Sequence, residues 1–541
     1  MSDQMPLDPA ARRAFGAALF AVFIGALDLT VIATILPRMV VDLRINTADI
    51  DRYVWVVNGY LLAYIVAIPI VGRISDLIGR RLAFQAALAV FAIGSVWCAV
   101  ADDLAGLIVG RAIQGAGGGA LLPITMALVG DLLPPARRTR SLGLVGAVDT
   151  LGWVLGPLLG AAVVAIAPGN EPWRWVFYIN LPFAVVAGLA LTRTGGGQRT
   201  VPKGWFSQLD LVGTLLLSAA LLLLNLGLST GGELGATQAG GRALGGTRNP
   251  LAAYLWPLLI GALLCGLAFL WWERRVATPL LPLRLFRQRR FTAAIAANAV
   301  VGLALIVAMV NVPVVVALLV TPDRVSAVSA LMLAPFTLLM AALSFGGGLI
   351  AGRRGERSTA AIGLVLVTIG YLALWIGLRN GAYLGMLPGL ALAGAGFGLV
   401  IAPIGATAID AAPVTDRGVV AALTLVFRLL GMTIGISTLT AIGVRRLQTL
   451  TGNLDAIVQG PNETTAEFLA RQNQFLLERV IPLSIQVIRE TFVIAGMVAL
   501  LALIPIALLR SRREVAATAS PGPPTAPRES RENPPQRSDR V

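Results

Sequence analysis

The chain reads as an all-α polytopic membrane protein, and three observations carry that reading. Apolar residues fill 56% of its 541 positions and charged residues 13%, where soluble domains average roughly 45–50% and about 25%. Mean hydropathy is +0.79. Apolar runs of about 18 residues or more recur from end to end, each long enough as a helix to cross a hydrocarbon core of about 30 Å.

Fourteen spans are expected, at roughly 14–37, 53–71, 83–100, 104–130, 142–167, 174–192, 209–229, 251–272, 291–319, 325–350, 359–378, 386–412, 417–445 and 484–509. With the N-terminus inside, Lys and Arg number 28 on the inner side and 12 on the outer, and the other three lie in or beside spans. This bias places both termini in the cytoplasm and the chain in the cell membrane. Arg12 and Arg13 precede an apolar stretch too long for a cleaved signal, so it reads as the first span.

Residues 1–13 form a short cytoplasmic start. Residues 14–192 and 291–510 each make a six-helix bundle, dense in glycine and charge motifs. Between them, 193–290 holds two plain Leu-rich spans that look like an inserted pair. The second bundle carries a long extracytoplasmic segment, 446–483. Within it Phe468, Leu469, Phe475, Leu476 and Leu477 recur at helical spacing. That segment is either a surface helix resting on the protein or an element that handles substrate. The tail 511–541, rich in Pro, Ser, Arg and Glu, has the composition of disorder.

Several functions are excluded. The net charge of +15 sits in short loops and the tail rather than in a basic groove, so nucleic acid is no partner. Histidine is absent, and both cysteines, Cys98 and Cys265, lie in apolar spans. No metal site, disulfide framework, nucleophile constellation or phosphate loop is visible, so the chain is not expected to be an enzyme. Any proton chemistry must run through carboxylates.

Four features stand out against the apolar background. Asp28 lies mid-span, where a carboxylate costs several kcal/mol unless neutralised, paired or hydrated. It is either a neutral aspartate bonded to a neighbouring helix or a group that handles a proton. Asp149 is a second such acid, followed by Gly152, Gly156, Pro157 and Gly160. The spacing of four sets the glycines near one face for close helix approach, and Pro157 permits a bend. Arg428 stands alone in span thirteen and needs a carboxylate, a water cavity or an anionic ligand, with Asp28 and Asp149 the candidate partners. Arg111 lies nearer the outside and can snorkel, although Gln114 and a run of glycines beside it argue for a protein-facing position. Asn58, Tyr60, Tyr64, Gln114 and Trp153 are candidate cavity-lining residues.

The turn Gly72-Arg73-Ile74-Ser75-Asp76-Leu77-Ile78-Gly79-Arg80-Arg81 carries more chemistry than a turn requires. Asp76 can pair with Arg73 and Arg80, and can also meet the positive N-terminus of a neighbouring helix. Such a network, made in one conformation and broken in another, biases an equilibrium.

Together these motifs resemble the major facilitator superfamily, and more narrowly its fourteen-span drug:proton antiporter branch. Gly72 to Arg81 resembles the loop motif between spans two and three, and Leu27 to Pro37 the span-one motif. Arg111-Ala-Ile-Gln114-Gly115 resembles the span-four motif, Gly152 to Gly160 the antiporter motif, and Trp173 to Pro182 a segment typical of the branch. The resemblance implies two six-helix bundles built from inverted repeats, rocking around a central site. It also implies export driven by a proton gradient, with no other cofactor. Two features depart from the branch. Gly352 stands where a second latch aspartate belongs, and Arg428 accompanies the long outer segment. These, with Gly396 to Pro403 and Val426 to Met432, resemble the mycobacterial triacylglycerol exporter subgroup. There the outer extensions and intramembrane ion pairs serve lipid extraction, which makes an extracytoplasmic lipid carrier a candidate partner. The substrate is a hydrophobic compound, a lipid or a range of drugs. The alternative is a lipid-binding or receptor-like membrane protein that does not transport.

Overall fold

A computed structural model describes residues 9–43, 55–133, 135–192, 210–236, 254–276, 279–321, 324–379, 382–451 and 464–509. Among them every regular element is helical. The helices are α1 (Pro9–Asp42), α2 (Trp55–Ile78), α3 (Arg80–Val100), α4 (Leu104–Leu132), α5 (Pro135–Ile166) and α6 (Arg174–Thr192). Two further helices follow, α7 (Leu211–Ala236) and α8 (Leu255–Glu273). Then come α9 (Arg289–Leu319), α10 (Val325–Arg354), α11 (Glu356–Gly377), α12 (Leu387–Asp410), α13 (Arg417–Thr451), α14 (Thr465–Phe475), α15 (Ile481–Leu501) and α16 (Leu503–Ala507).

Each of the fourteen expected spans coincides with a helix. Twelve are long and apolar enough to cross a membrane. α5 meets that test only as two segments, Arg140–Trp153 and Leu158–Ile166, bent by 41°. The break contains Pro157, which offers no amide to the helical ladder. The apolar part of α6, Arg174–Ala190, is shorter. The tail 511–541 and residues 452–463 of the outer segment lie outside the described residues, as does the side chain of Asn58.

α1–α6 pack together, as do α9–α13 with α15, and the two groups repeat one another contact for contact. Gly94 and Gly117 of the first group would each collide with main chain if given a Cβ: Gly94 with Gln114, and Gly117 with Phe91 and Ala87. Gly370 and Gly396 meet Ala393, Val367 and Gly363 in the same way. Residues in α1–α3 and α9–α11 correspond at a separation of 276, and those in α4–α5 and α12–α13 at 279. The correspondence extends to the turns, because Gly79 (φ 94°) and Gly355 (φ 91°) both start the following helix from a left-handed backbone.

α5 lies on α1 through Gly152 and Gly156, where an added Cβ would fall 2.7 Å from the Phe23 carbonyl oxygen and 2.6 Å from that of Leu27. The equivalent helices α13 and α9 meet at Gly431 and Gly435, against the carbonyl oxygens of Ala299 and Leu303. Gly160 is buried on the same helix. Two columns run past the bundles at the end opposite the Gly79 turn. α13 has 35 residues, and the candidate span formed by α14, α15 and α16 runs Ala466–Ala507, 42 residues. At about 1.5 Å per residue both exceed a hydrocarbon core of about 30 Å. Thr464 starts the second column with a reciprocal cap to Glu467, and Arg446 pairs with Glu490 at 2.9 Å to tie the columns together.

The packing sets a clear expectation. Gly431→Val puts two methyls into a main-chain contact with no room for one, and should destabilise by at least about 1–3 kcal/mol. Gly352→Ala, where a Cβ meets nothing within 4 Å, should be neutral. Thermal unfolding in detergent, followed by size exclusion, reads both.

Candidate functional site

Three charged assemblies lie along the bundle axis. The first closes the end that carries the Gly72–Arg81 turn. Asp76 at the end of α2 crosses to the other bundle: its Oδ1 accepts from the Gly418 amide and its Oδ2 from that of Val419, both at 3.1 Å. These are first-turn N–H groups of α13, which have no helical partner of their own and sit at the positive end of the helix dipole. Arg80 pairs with Asp76 and reaches Asp131 on α4 at 3.1 Å. Arg417 meets the other Asp131 oxygen at 3.3 Å and donates to the Gly130 carbonyl at 2.5 Å. Glycine is required where the elements touch. A Cβ on Gly418 would lie 2.6 Å from the Gly72 carbonyl and 2.7 Å from Asp76, and one on Gly72 would lie 2.7 Å from the Cβ of Ala422. Arg73 stands apart, its Nε buried without an acceptor among the described residues and its charge acting on Glu273 at the end of α8.

A second arginine–aspartate crossing joins the bundles at this end. Arg138 of α5 reaches Asp410 of α12 at 2.8 Å, and this pair is the repeat of Arg417 with Asp131. Each aspartate precedes an arginine by seven residues, Asp131 before Arg138 and Asp410 before Arg417, and each arginine binds the aspartate of the opposite bundle. The Asp76 contact is made once, in line with Gly352 at the second-half position, while the arginine–aspartate crossing is made twice. At the position equivalent to Arg80 stands Glu356, which accepts from Thr407 at 2.9 Å.

The second assembly is sealed inside the first bundle. Arg111 and Asp28 pair at 2.8 Å with 1% and 0% side-chain exposure. Gln114 and Asn180 donate to the other Asp28 oxygen at 2.9 and 2.7 Å, and Gln114 also donates to Ser95 at 2.8 Å. The Arg111 guanidinium lies 4.1 Å above the Tyr60 ring. Arg111, rather than Arg428, is thus the counter-charge of Asp28, and it does not snorkel. Tyr60 and Gln114 belong to this cluster rather than to a cavity wall. In the second bundle the repeat-equivalent positions of Asp28, Ser95, Arg111 and Gln114 hold Ala304, Tyr371, Leu390 and Ala393, so the cluster has no counterpart there.

The third assembly surrounds a cavity of about 270 Å³ between the bundles. Its wall is mostly apolar, with Leu122, Met126, Leu305, Met340 and Met432 among the contributors. Asp149 enters it from α5 and Arg428 from α13, joined by Tyr64, Thr150, Trp153 and Thr433. Asp149 and Arg428 are themselves repeat equivalents, 279 positions apart, so the two halves present opposite charges at one structural position. Among the described residues they make no ion pair within 4 Å, yet the charge of Arg428 acts on Asp149, and both act on Tyr64. Gly302 brings α9 onto the Arg428 carbonyl, where a Cβ would fall 2.1 Å away. Close packing thereby fixes the backbone from which that guanidinium projects.

The profile of the Major Facilitator Superfamily matches residues 18–436. The chain belongs to that superfamily. It is a membrane transporter and not an enzyme. A triacylglyceride transporter of Mycolicibacterium hassiacum is 38% identical over 477 residues, covering 85% of this chain and 84% of that one. A triacylglyceride transporter of Mycobacterium tuberculosis is 36% identical over 472 residues, covering 84% and 87%. Among solved structures, the human organic anion transporter MFSD10 superposes with a TM-score of 0.54 at 16% identity, over 93% of this chain and all of that one. The proton:xylose symporter XylE matches with a TM-score of 0.54 at 13% identity, over 93% and 96%. Those two likenesses establish the shared fold.

Several residues of these assemblies carry no signal that a span-by-span reading detects. Ser95 and Asn180 are ordinary polar residues in apolar helices. Asp131, Arg138, Asp410 and Arg417 lie at or near helix ends beside short turns, where charge is expected, and only the repeated seven-residue spacing marks them.

Two expectations follow. Arg138→Asp should weaken closure of this end, and adding Asp410→Arg should restore it. Distances between spin labels at the ends of α5 and α12 report the change, and an equally open double variant would refute the pairing. Asp28→Asn leaves Arg111 buried without its counter-charge, so the thermal unfolding midpoint should fall by an amount equivalent to about 3–5 kcal/mol.

Proposed function

We propose that this transporter is a proton-coupled exporter of neutral lipids, working by alternating access in the cell membrane. The observation that carries the reading is the pair Asp149 and Arg428, set at equivalent positions of the two bundles on the wall of one apolar cavity. A proton taken up by Asp149 removes its attraction for Arg428 and weakens the hold of one bundle on the other. An apolar wall with few polar groups suits a molecule with long hydrocarbon parts and a small acceptor-bearing centre. The names of the mycobacterial relatives support a triacylglyceride over a range of drugs.

In this reading the latched end is cytoplasmic, in accord with the inner bias of Lys and Arg, and the conformation faces outward. A cavity of about 270 Å³ is at the small end of ligand pockets, roughly 300–1,000 Å³. The hydrocarbon chains of a lipid would therefore extend beyond it between the helices. The columns of α13 and of α14 with α15 would then lie on the outer side, where they can pass a lipid to an extracytoplasmic carrier. Asp28, sealed by Arg111, Gln114 and Asn180, would respond to the proton only after the first bundle loosens.

Reconstitution tests the proposal. Transfer of a fluorescent triacylglycerol out of proteoliposomes should rise several-fold under an imposed pH gradient. It should fall to the protein-free rate in Asp149→Asn. A rate indifferent to the gradient would remove the coupling. Gradient-driven efflux of hydrophobic dyes without lipid transfer would replace the lipid with drugs.

A further inference from the structure

α7 belongs to the pair of helices that the sequence presents as an inserted linker, and its leucines would suit a helix with no task beyond spanning. Its placement is more specific than that. It packs on α13 and α2, one helix from each bundle, and so covers a seam between them. Ser437 of α13 donates to the Leu228 carbonyl at 2.6 Å, a polar tie that fixes α7 in depth and rotation. One turn from Leu228, on the same face, stands Asn225.

Asn225 lines the central cavity together with Arg428, Thr433 and Ile436 of α13. Its Nδ2 is shielded from solvent and has no acceptor among the described residues. An amide nitrogen carries two N–H donors, and buried donors are nearly always satisfied. Nothing in the α7 packing requires a polar residue at this point, since the neighbouring positions are leucines.

We infer that Asn225 makes α7 part of the transport site, donating a hydrogen bond to a carbonyl or ester oxygen of the substrate. Arg428 is likewise a donor with no acceptor capacity, so this side of the wall suits a molecule with clustered acceptors and needs no donor from it. The substrate class rests on the function proposed above; the membership of α7 in the site does not.

The test compares a fluorescent triester lipid with its triether analogue, a weaker acceptor, in proteoliposomes. Wild type should move the triester faster. Asn225→Leu should narrow that preference by about fivefold, the loss of one neutral hydrogen bond, and Asn225→Gln should restore part of it. A full preference in Asn225→Leu, with unchanged apparent affinity, overturns the inference. A second arm needs no substrate. Asn225→Cys, in a protein with Cys265→Ala, should react with a small aqueous thiol reagent through the cavity, while Cys98 stays buried. Failure to react overturns the inference whatever is transported. A wild type that moves neither lipid overturns the function proposed above, and the thiol reaction then decides the role of α7 alone.

Discussion

A charge held within a hydrocarbon layer must be compensated where it stands, because neither water nor a mobile counter-ion can follow it there. That constraint organises this molecule. Asp28 and Arg111 satisfy it completely, locked with Gln114 and Asn180 in a site with no exposure. Asp149 and Arg428 face one cavity from opposite bundles, without an ion pair within 4 Å among the described residues. The charges at the latched end meet it through main-chain amides and paired arginines that contact the other bundle only while the two ends are together.

The repeat supplies the geometry and the differences supply the chemistry. Equivalent glycines hold α5 on α1 and α13 on α9 through equivalent carbonyls, so both halves have the same mechanical design. On that frame the first half carries the buried polar cluster, and the second carries Ala304, Tyr371, Leu390 and Ala393. One half therefore encloses a sealed ion pair where the other packs mostly apolar side chains, and the cavity lies where they meet.

Much of this was legible in the sequence, for a physical reason. In an apolar background each ionisable residue is conspicuous, so Asp28, Asp149, Arg428 and Asp76 declared themselves, and helical rise gave their depth. Pairing was not legible, because it depends on which faces of which helices meet. Arg111 looked able to snorkel when judged by depth alone, and its burial comes from α1 and α2 closing over it. The crossing of Arg138 to Asp410 was hidden among loop arginines that topology already explained. Asn225 was hidden in the opposite way, as one amide in a run of leucines whose only evident requirement was length.

The cradle that receives Asp76 is made of backbone, at Gly418 and Val419, and no side chain fits at Gly418. The receiving half of this contact therefore cannot be tuned by substitution. A change of residue there removes the contact altogether, and cannot grade it. Adjustable strength lies with the arginines around it, Arg80, Arg138 and Arg417, whose replacement alters one or two ion pairs and leaves the main-chain cradle in place. Divergence among transporters of this design should accordingly be written in the arginines, with the cradle either kept whole or abandoned.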